Sequence, residues 1–364
     1  MTCDEQFMRQ ALALARKGCG RTSPNPMVGA VLVKGGTVIG QGWHRRAGGP
    51  HAEVAAIRDA GSCLGATLYV SLEPCSTTGK TLPCVEAIKA AGIRRVVVAA
   101  TDSNPAHAGC AFRKLRRARI EVSRGLLADE AAELNGAFNH WIVRGTPLVT
   151  VKAAMTLDGR IATANGESKW ITGPAARREG HRLRKGSDAV LVGINTVLAD
   201  DPSLTVKGKL KSRPLRRIIL DSRARIPLKA RVINDEFSES TTVVVAKGAP
   251  ARRVNAIARK ANVMVAPRKK GRVDLCWLLK RLGREEVASL LVEGGGEVNA
   301  SFLEVGLAHR VAFFYAPKIL GGDDARRAVA GDGSRSLSEA VRLENVSWSR
   351  VGVDLMLTAR VSGA

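Results

Sequence analysis

From Glu5, apolar residues recur every three to four positions through EQFMRQALALARKG, which predicts an amphipathic helix ending at Gly18. The period then shortens. MVGAVLVKGGTVIGQGWH reads as two strands joined at Gly35-Gly36. HAEVAAIRDAG follows as a helix closing at Gly61, ATLYVSLE as a strand, CVEAIKAAG as a helix closing at Gly92, and RRVVVAAT as a strand. A hairpin followed by alternating helices and short buried strands predicts a three-layer α/β/α sandwich.

Near NHWIVRGTPLVTVKAAM the pattern restarts, with Gly145-Thr146-Pro147 as a hinge, so the expected domains are 1–145 and 146–364. Beyond the hinge, apolar strands (LVTVKAAM, DAVLVG, RRIILDS, TTVVVA, NVMVA, ASLLVEGG, RVAFFYAP) alternate with helices (PAARREGHRLRKG, PARRVNAIARKA, VDLCWLLKRLG, GEVNASFLEVG). That alternation predicts a doubly wound α/β domain with a mostly parallel sheet. A chain of 364 residues also exceeds what one hydrophobic core usually supports. No internal repeat or low-complexity segment interrupts the pattern.

Composition narrows the class. Hydrophobic residues make up 45% of the chain, yet no uncharged apolar run approaches the roughly 18 residues of a membrane helix. The amino-terminal stretch carries Asp4 and Glu5 where a secretory signal would carry lysines, and the expected location is the cytoplasm. Seven cysteines, an odd number scattered from Cys3 to Cys276, form no disulfide framework and suit a reducing compartment. The 57 basic against 33 acidic residues give a net charge of +24, which calls for anionic partners. The basic residues are dispersed and aromatics are only 4% of the chain, leaving little for base-stacking platforms. The charge reads as a solvated basic surface rather than a dedicated nucleic-acid face.

His51, Cys75 and Cys84 form a ligand set of one imidazole and two thiolates, three donors that leave the fourth position of a Zn2+ ion for water. His51 opens one helix, Cys75 follows a strand, and Cys84 opens the next helix after Pro83. Glu53 lies on the first turn beyond His51, where it can take a proton from water and hand it to a leaving amine without ligating the metal. H-x-E followed by Pro-Cys…Cys is the signature of zinc nucleobase deaminases, here with eight residues between the cysteines rather than two. In the second domain, Gly294-Gly295-Gly296 lies between a predicted strand and helix, where backbone N–H groups can approach a phosphate. TLDGR (156–160), GESKWITG (166–173) and ADDPSLTVK (199–207) carry more polar chemistry than turns need, and each is expected at the carboxyl end of a strand.

The stretches SPNPMVGAVLV, HAE, LEPCSTTGKTLPC, KAAMTLDGRIATANGESKWIT, LVGINTVLADDPSLTV, IILDS, LLVEGG and FFYAPKILGG together resemble the bifunctional riboflavin-biosynthesis deaminase and reductase family over essentially the whole length. The resemblance implies a cytidine-deaminase-like domain followed by a dihydrofolate-reductase-like domain. The first would hydrolyse the exocyclic amine of a phosphorylated diaminopyrimidine with Zn2+. The second would pass a hydride from NADPH to the ribosyl carbon, giving a ribityl chain. Carried over residue by residue, the deaminase substrate contacts fall on Asn25, His44, Lys80, Asp102 and Asn104. Those of the reductase fall on Ser168, Arg184, Leu204, Lys207 and Glu293, and the NADPH contacts on Ala154, Trp170, Thr196, Asp200, Ser222, Gly295 and Gly296. Members of the family usually associate through the second domain, so a homo-oligomer is expected.

Three positions depart from the family pattern. Thr77 replaces a histidine, Leu82 replaces the first proline of a Pro-Pro-Cys, and Gly109-Cys110-Ala111 replaces Gly-x-Gly. Threonine brings no imidazole donor to that position, and at 207 lysine offers a point charge where arginine would offer a fork. Two other readings remain at the level of sequence: a zinc deaminase acting on bases in RNA, and a reductase that keeps zinc only as structure.

Overall fold

Thr2 starts the first helix with a reciprocal cap: its hydroxyl accepts the Glu5 N–H at 3.2 Å while a Glu5 carboxylate oxygen accepts the Thr2 N–H at 3.0 Å. Helix α1 (Cys3–Arg16) therefore begins before the span expected from periodicity and stops short of Gly18. The computed structural model describes residues 2–77, 82–206 and 214–363, which divide into two units, Met1–Gly145 and Thr146–Ala364.

In the first unit α1 is followed by β1 (Gly29–Lys34), β2 (Thr37–Trp43), α2 (Ala52–Ala60), β3 (Thr67–Leu72), α3 (Cys84–Ala90), β4 (Arg95–Ala100), α4 (Cys110–Arg117), β5 (Glu121–Arg124), α5 (Ala128–Leu134) and α6 (Gly136–Arg144). The sheet has the order β2-β1-β3-β4-β5; β1 runs antiparallel to both neighbours, and β3, β4 and β5 are parallel. Strand alternation sorts the core into two faces. Ala30, Leu32, Leu68 and Val70 pack with Ala56, Ile88 and Leu115 from α2, α3 and α4, while Val31, Val33, Tyr69 and Val97 pack with Leu12 and Ala131 from α1 and α5. Two glycines on β2 set how closely α2 lies. A Cβ on Gly40 would come within 2.5 Å of the Ala56 carbonyl oxygen, and one on Gly42 within 2.5 Å of the Ala56 nitrogen.

The second unit contains β6 (Leu148–Thr156), β7 (Arg160–Ala162), α7 (Pro174–Gly186), β8 (Ala189–Gly193), α8 (Ile194–Asp200), β9 (Arg216–Leu220), β10 (Thr241–Ala246), α9 (Ala251–Ala258), β11 (Asn262–Ala266), β12 (Arg268–Lys269), β13 (Arg272–Val273), α10 (Leu275–Arg284), β14 (Ser289–Val292), α11 (Gly296–Glu304), β15 (Arg310–Ala316), β16 (Arg326–Arg327), β17 (Leu343–Val351) and β18 (Asp354–Val361). Its main sheet runs β11-β10-β9-β8-β14-β6-β15-β18-β17, parallel from β11 to β15 and antiparallel at β18 and β17. Leu191, Ile218, Val244 and Val292 face α10 and α11; Val190, Val192, Ile219 and Val243 face α8 and α9. Strand β14 enters late in the chain and inserts between β8 and β6. The carboxyl ends of these three parallel strands thus border the point where strand order reverses, the usual ligand crevice of such sheets.

Among the differences from the sequence expectation are the start of the ADDPSLTVK stretch and the carboxyl-terminal hairpin. The ADDPSLTVK stretch begins inside helix α8, whose last residues are Ala199 and Asp200, rather than at the end of a strand, because INTVLAD continues from Gly193 as two helical turns. The closing hairpin β17–β18 was not anticipated. Most of β17 is exposed, so its residues lack the apolar alternation that marks a half-buried strand.

Candidate functional site

In the first unit His51 sits at the N-cap of α2 with an extended backbone (φ −72°, ψ 160°), and Glu53 lies in the first turn behind it. Cys75 follows the end of β3, and Cys84 is the first residue of α3, with Pro83 before it. The donor atoms of His51, Cys75 and Cys84 all lie within 4.8 Å of one another. His51 Nδ1 is 3.2 Å from Cys84 Sγ and 3.4 Å from Cys75 Sγ. A tetrahedral zinc ion with Zn–S of about 2.3 Å and Zn–N of about 2.0–2.1 Å would separate such donors by roughly 3.6 Å, so the set fits the ion closely.

The backbone of α3 completes the cradle. Its first amide, Cys84 N–H, donates to Cys75 Sγ at 3.2 Å, so the helix N-terminus that Cys84 opens also serves the other sulfur. The Cys84 thiol and the His51 imidazole pull the Cys75 thiol down to about 4, against burial that opposes ionisation. The same hydrogen bond, together with burial, pushes Cys84 up. Hydrogen bonding to Cys75 raises His51 above its usual range. Glu53 is only 3% exposed, and burial pushes its carboxyl up to about 7.

Two more expected residues adjoin this cluster. The ring of His44 meets that of His51 edge-on at 5.5 Å, with its Nδ1 3.1 Å from the Pro50 carbonyl and its Nε2 3.3 Å from Asn25 Nδ2. Burial lowers the pKa of His44, with the nearby His51 acting in the same direction. Buried Asn135 fixes the loop that carries Asn25: it accepts from Met27 N–H at 2.8 Å and donates to Met27 C=O at 2.9 Å. Asp102 and Asn104 lie on the loop after β4, joined by the Asn104 N–H to Asp102 Oδ1 bond at 2.9 Å. Burial raises the pKa of Asp102. Lys80 lies outside the described residues.

Sequence reasoning missed what holds that loop. Glu73 is 6% exposed and accepts three backbone N–H groups: Asp102 at 3.2 Å and Gly109 at 2.9 Å on Oε2, and Ala111 at 3.0 Å on Oε1. A carboxylate directly after an apolar strand and beside a metal-ligand cysteine was the available signal. Thr77, which brings no imidazole of its own, has its hydroxyl 3.4 Å from His107 Nδ1, so an imidazole reaches this place from a different loop.

In the second unit Glu293, just past β14, takes Arg184 of α7 in a two-pronged ion pair of 2.6 and 2.9 Å, and the buried carboxylate lies 3.8 Å from Lys152 Nζ of β6. Burial works against ionisation of Glu293, but Arg184 and Lys152 together hold its pKa below the usual range. Burial lowers Lys152, partly offset by Glu293. Lys152 was also missed, although a lone lysine within the apolar strand LVTVKAAM was its signal. Arg184 Nη1 further donates to the Thr205 carbonyl at 3.2 Å. Leu204, between Ser203 and Thr205, buries its side chain in the core, so only its backbone can face a ligand.

Ser168 and Asp200 are brought together by a 2.9 Å hydrogen bond, with Lys169 Nζ 3.5 Å from the same carboxylate. Trp170 is 65% exposed; Arg177 stacks over its ring at 4.5 Å, and its carbonyl accepts from Lys318 at 2.9 Å. At the start of α11 the three glycines differ. A Cβ on Gly296 would meet the Arg327 carbonyl at 2.3 Å, a close approach within the protein, whereas one on Gly295 would meet only Thr196 Oγ1, at 3.9 Å. Gly295 and Thr196 thus face each other across the open ends of β14 and β8. Ala154 lies near the carboxyl end of β6, and Ser222 just past that of β9. Lys207 lies outside the described residues.

Residues 1–100 match the model of the cytidine and deoxycytidylate deaminase zinc-binding region, and residues 147–357 that of the RibD C-terminal domain. Riboflavin biosynthesis protein RibD of Aquifex aeolicus is 43% identical over 355 residues, 97% of each chain. The structure of Acinetobacter baumannii RibD superposes with a TM-score of 0.89 at 38% identity, covering 99% of both chains. A diaminohydroxyphosphoribosylaminopyrimidine deaminase/5-amino-6-(5-phosphoribosylamino)uracil reductase from Thermotoga maritima matches at a TM-score of 0.83 and 36% identity over 99% of both chains.

Proposed function

The chain belongs to the RibD family of bifunctional riboflavin-biosynthesis enzymes, zinc-dependent deaminases joined to NADPH-dependent reductases, and from that premise we propose how its own residues divide the work. The first unit acts on 2,5-diamino-6-(5-phosphoribosylamino)pyrimidin-4(3H)-one and replaces its exocyclic amine with oxygen, releasing ammonia. His51, Cys75 and Cys84 hold Zn2+, which supplies a Lewis-acidic centre that makes water a nucleophile near neutral pH. Glu53, buried and next to the ligand set, takes the proton from the attacking water and returns it to the departing nitrogen. Asn25, His44, Asp102, Asn104 and Lys80 grip the substrate, with Asn135 and Glu73 fixing the loops from which Asn25, Asp102 and Asn104 reach.

The second unit reduces the ribosyl chain of the deaminated product to ribityl. NADPH supplies the hydride, and Ala154, Trp170, Thr196, Asp200, Ser222 and the Gly295-Gly296 turn hold it. Ser168, Arg184, the Leu204 backbone and Lys207 hold the phosphoribosyl end of the substrate. Lys152, buried beside the crevice, is the group that supplies the proton accompanying hydride transfer, and the Glu293 carboxylate 3.8 Å away orients its ammonium. The second unit also associates with further copies of the chain through its β17–β18 hairpin, where Val346 (47%) and Trp348 (56%) of β17 and Leu355 (45%) of β18 are exposed. Among the described residues no helix is long and apolar enough to cross a membrane, and the seven free cysteines suit the reducing cytoplasm.

The juxtaposition of His51, Cys75 and Cys84 with a buried Glu53 carries the deaminase reading. Mass spectrometry of the products, with and without NADPH, tests the division of labour. The wild-type chain should give deaminated product alone without NADPH and the ribityl product with it. Glu53→Gln should retain zinc, return the diaminopyrimidine unchanged, and still reduce substrate supplied already deaminated. Deamination by Glu53→Gln at the wild-type rate would remove the proton-transfer role.

A further inference from the structure

The turn after α8 is conformationally demanding. Asp201 (φ 41°) and Leu204 (φ 52°) both have left-handed backbones without being glycine. Such conformations cost free energy and persist only where the surroundings over-determine them. Three sets of contacts do so. The Leu204 side chain is 2% exposed among Val190, Val243 and Ile219. Arg231 N–H donates to Asp201 Oδ1 at 2.8 Å. On either side of Leu204, the Ser203 carbonyl accepts from Arg217 Nη1 at 2.9 Å and the Thr205 carbonyl from Arg184 Nη1 at 3.2 Å.

Arg217 is the unexpected member. It lies on β9 at 1% exposure, opposite Thr241 on a sheet face otherwise dominated by valine and isoleucine. Its guanidinium forms a fork on Asp235, both bonds 2.7 Å, and Nη2 also donates to the Val232 carbonyl at 3.0 Å. Buried ion pairs are weak sources of stability, and a hydrophobic side chain of similar volume often serves a core as well or better. What an apolar residue cannot supply is a rigid set of donors. The acceptors here come from two segments of the chain, Ser203 from the turn after α8 and Val232 with Asp235 from the stretch before β10.

We propose that Arg217, held by Asp235, is a positioning residue for the reductase. It fixes the Ser203–Thr205 backbone so that the peptide groups of Leu204 meet the phosphoribosyl end of the substrate. The inference rests on the reading above that Arg184 and Leu204 face that substrate. Because Arg184 grips both Thr205 and Glu293, the turn, Arg184 and Glu293 form one assembly, and Arg217 anchors its far side.

The test uses the full chain carrying Arg217→Met, Asp235→Asn or Arg184→Met, assayed on the deaminated substrate, with NADPH binding followed by fluorescence titration. Losing a charge-assisted hydrogen bond to the turn should raise KM on the order of tenfold in Arg217→Met. The kcat should stay within about twofold, and NADPH affinity should be unchanged. Asp235→Asn, which keeps the arginine but releases its fork, should show the same split to a smaller degree. A merely structural role would instead lower the folded fraction, reducing apparent kcat and NADPH stoichiometry while leaving KM in place, and that result overturns the proposal. If Arg217→Met binds no NADPH, Asp235→Asn decides alone: wild-type KM overturns the proposal and a raised KM supports it. Arg184→Met separates the two layers. Raised KM there with wild-type KM in the Arg217 and Asp235 variants refutes only the positioning role; wild-type KM in all three refutes the substrate reading and the proposal with it.

Discussion

Replacing Glu73 by Gln removes one charge and leaves the side chain the same size, so it isolates what the carboxylate does for the loop after β4. Oε2 accepts the Asp102 and Gly109 amides and Oε1 the Ala111 amide. A glutamine offers a single acceptor oxygen. In its better orientation that oxygen keeps Asp102 and Gly109, and the NH2 group faces the Ala111 N–H, donor against donor. Hydrogen bonds to charged groups are worth about 1.5–3 kcal/mol net and neutral ones about 1 kcal/mol, so one lost and two weakened bonds cost roughly 2.5–7 kcal/mol. At 6% exposure water cannot take over. For a unit of this size each kcal/mol moves Tm by roughly 2–4 °C, so the first unit of Glu73→Gln should melt at least about 5 °C early. Scanning calorimetry of the zinc-loaded chain measures this, and hydrogen exchange at Asp102, Gly109 and Ala111 locates it. Glu86→Gln serves as the control, since Glu86 is 51% exposed in an ion pair with Lys89 and should cost under about 1 kcal/mol. A Glu73→Gln chain that melts with the wild type, its three amides exchanging at wild-type rates, would refute the reasoning.

Cys84→Ser should bind zinc below stoichiometry, losing more than the roughly 10–100-fold that outer-shell changes cost; competition with a chelator and metal analysis read this directly. Asp4→Asn should destabilise the first unit in a pH-dependent way. The Arg95 and Tyr69 side chains bonded to Asp4 hold its pKa below the ordinary 3.8, so its contribution is present above that value and lost as pH falls through the folded pKa. The gap in Tm between the two proteins should be open at neutral pH and close below about pH 4; a constant gap would contradict the sign. Trp348→Lys should shift the mass seen by light scattering toward the 38.7 kDa of one chain, with reductase folding intact by circular dichroism, and an unchanged mass would remove β17 as the contact.

The parts of the site that could be read in the sequence are those carried by local, contiguous signals. His51 and Glu53 share one helix start, and a proline precedes each ligand cysteine, so the zinc donors could be named before any fold was known. Glu73 stands two residues before Cys75, but its partners lie 29 to 38 positions further on, and only the β3–β4 pairing brings them within reach. Lys152 is a lone cation in an apolar strand and Arg217 the second of an Arg-Arg pair opening one, where period-two reasoning sees a flaw in a pattern rather than a partner across the sheet. Leu204 came from family resemblance, which said nothing of its side chain; the core took that, and the backbone was left to face outward. The β17 hairpin escaped notice because an exposed edge strand carries no burial pattern to detect.

The two glycines of β2 give the metal centre a reach beyond its ligands. With no methyl groups at positions 40 and 42, α2 rests backbone to backbone on the strand, and the height of that contact sets where His51 and Glu53 stand relative to the sulfurs from β3 and α3. On the roles proposed for His51 and Glu53, metal affinity and proton transfer are therefore tied to the thickness of one sheet–helix layer. Screens for altered zinc occupancy should accordingly find hits along a strand that never touches the ion, as changes of altitude rather than of chemistry.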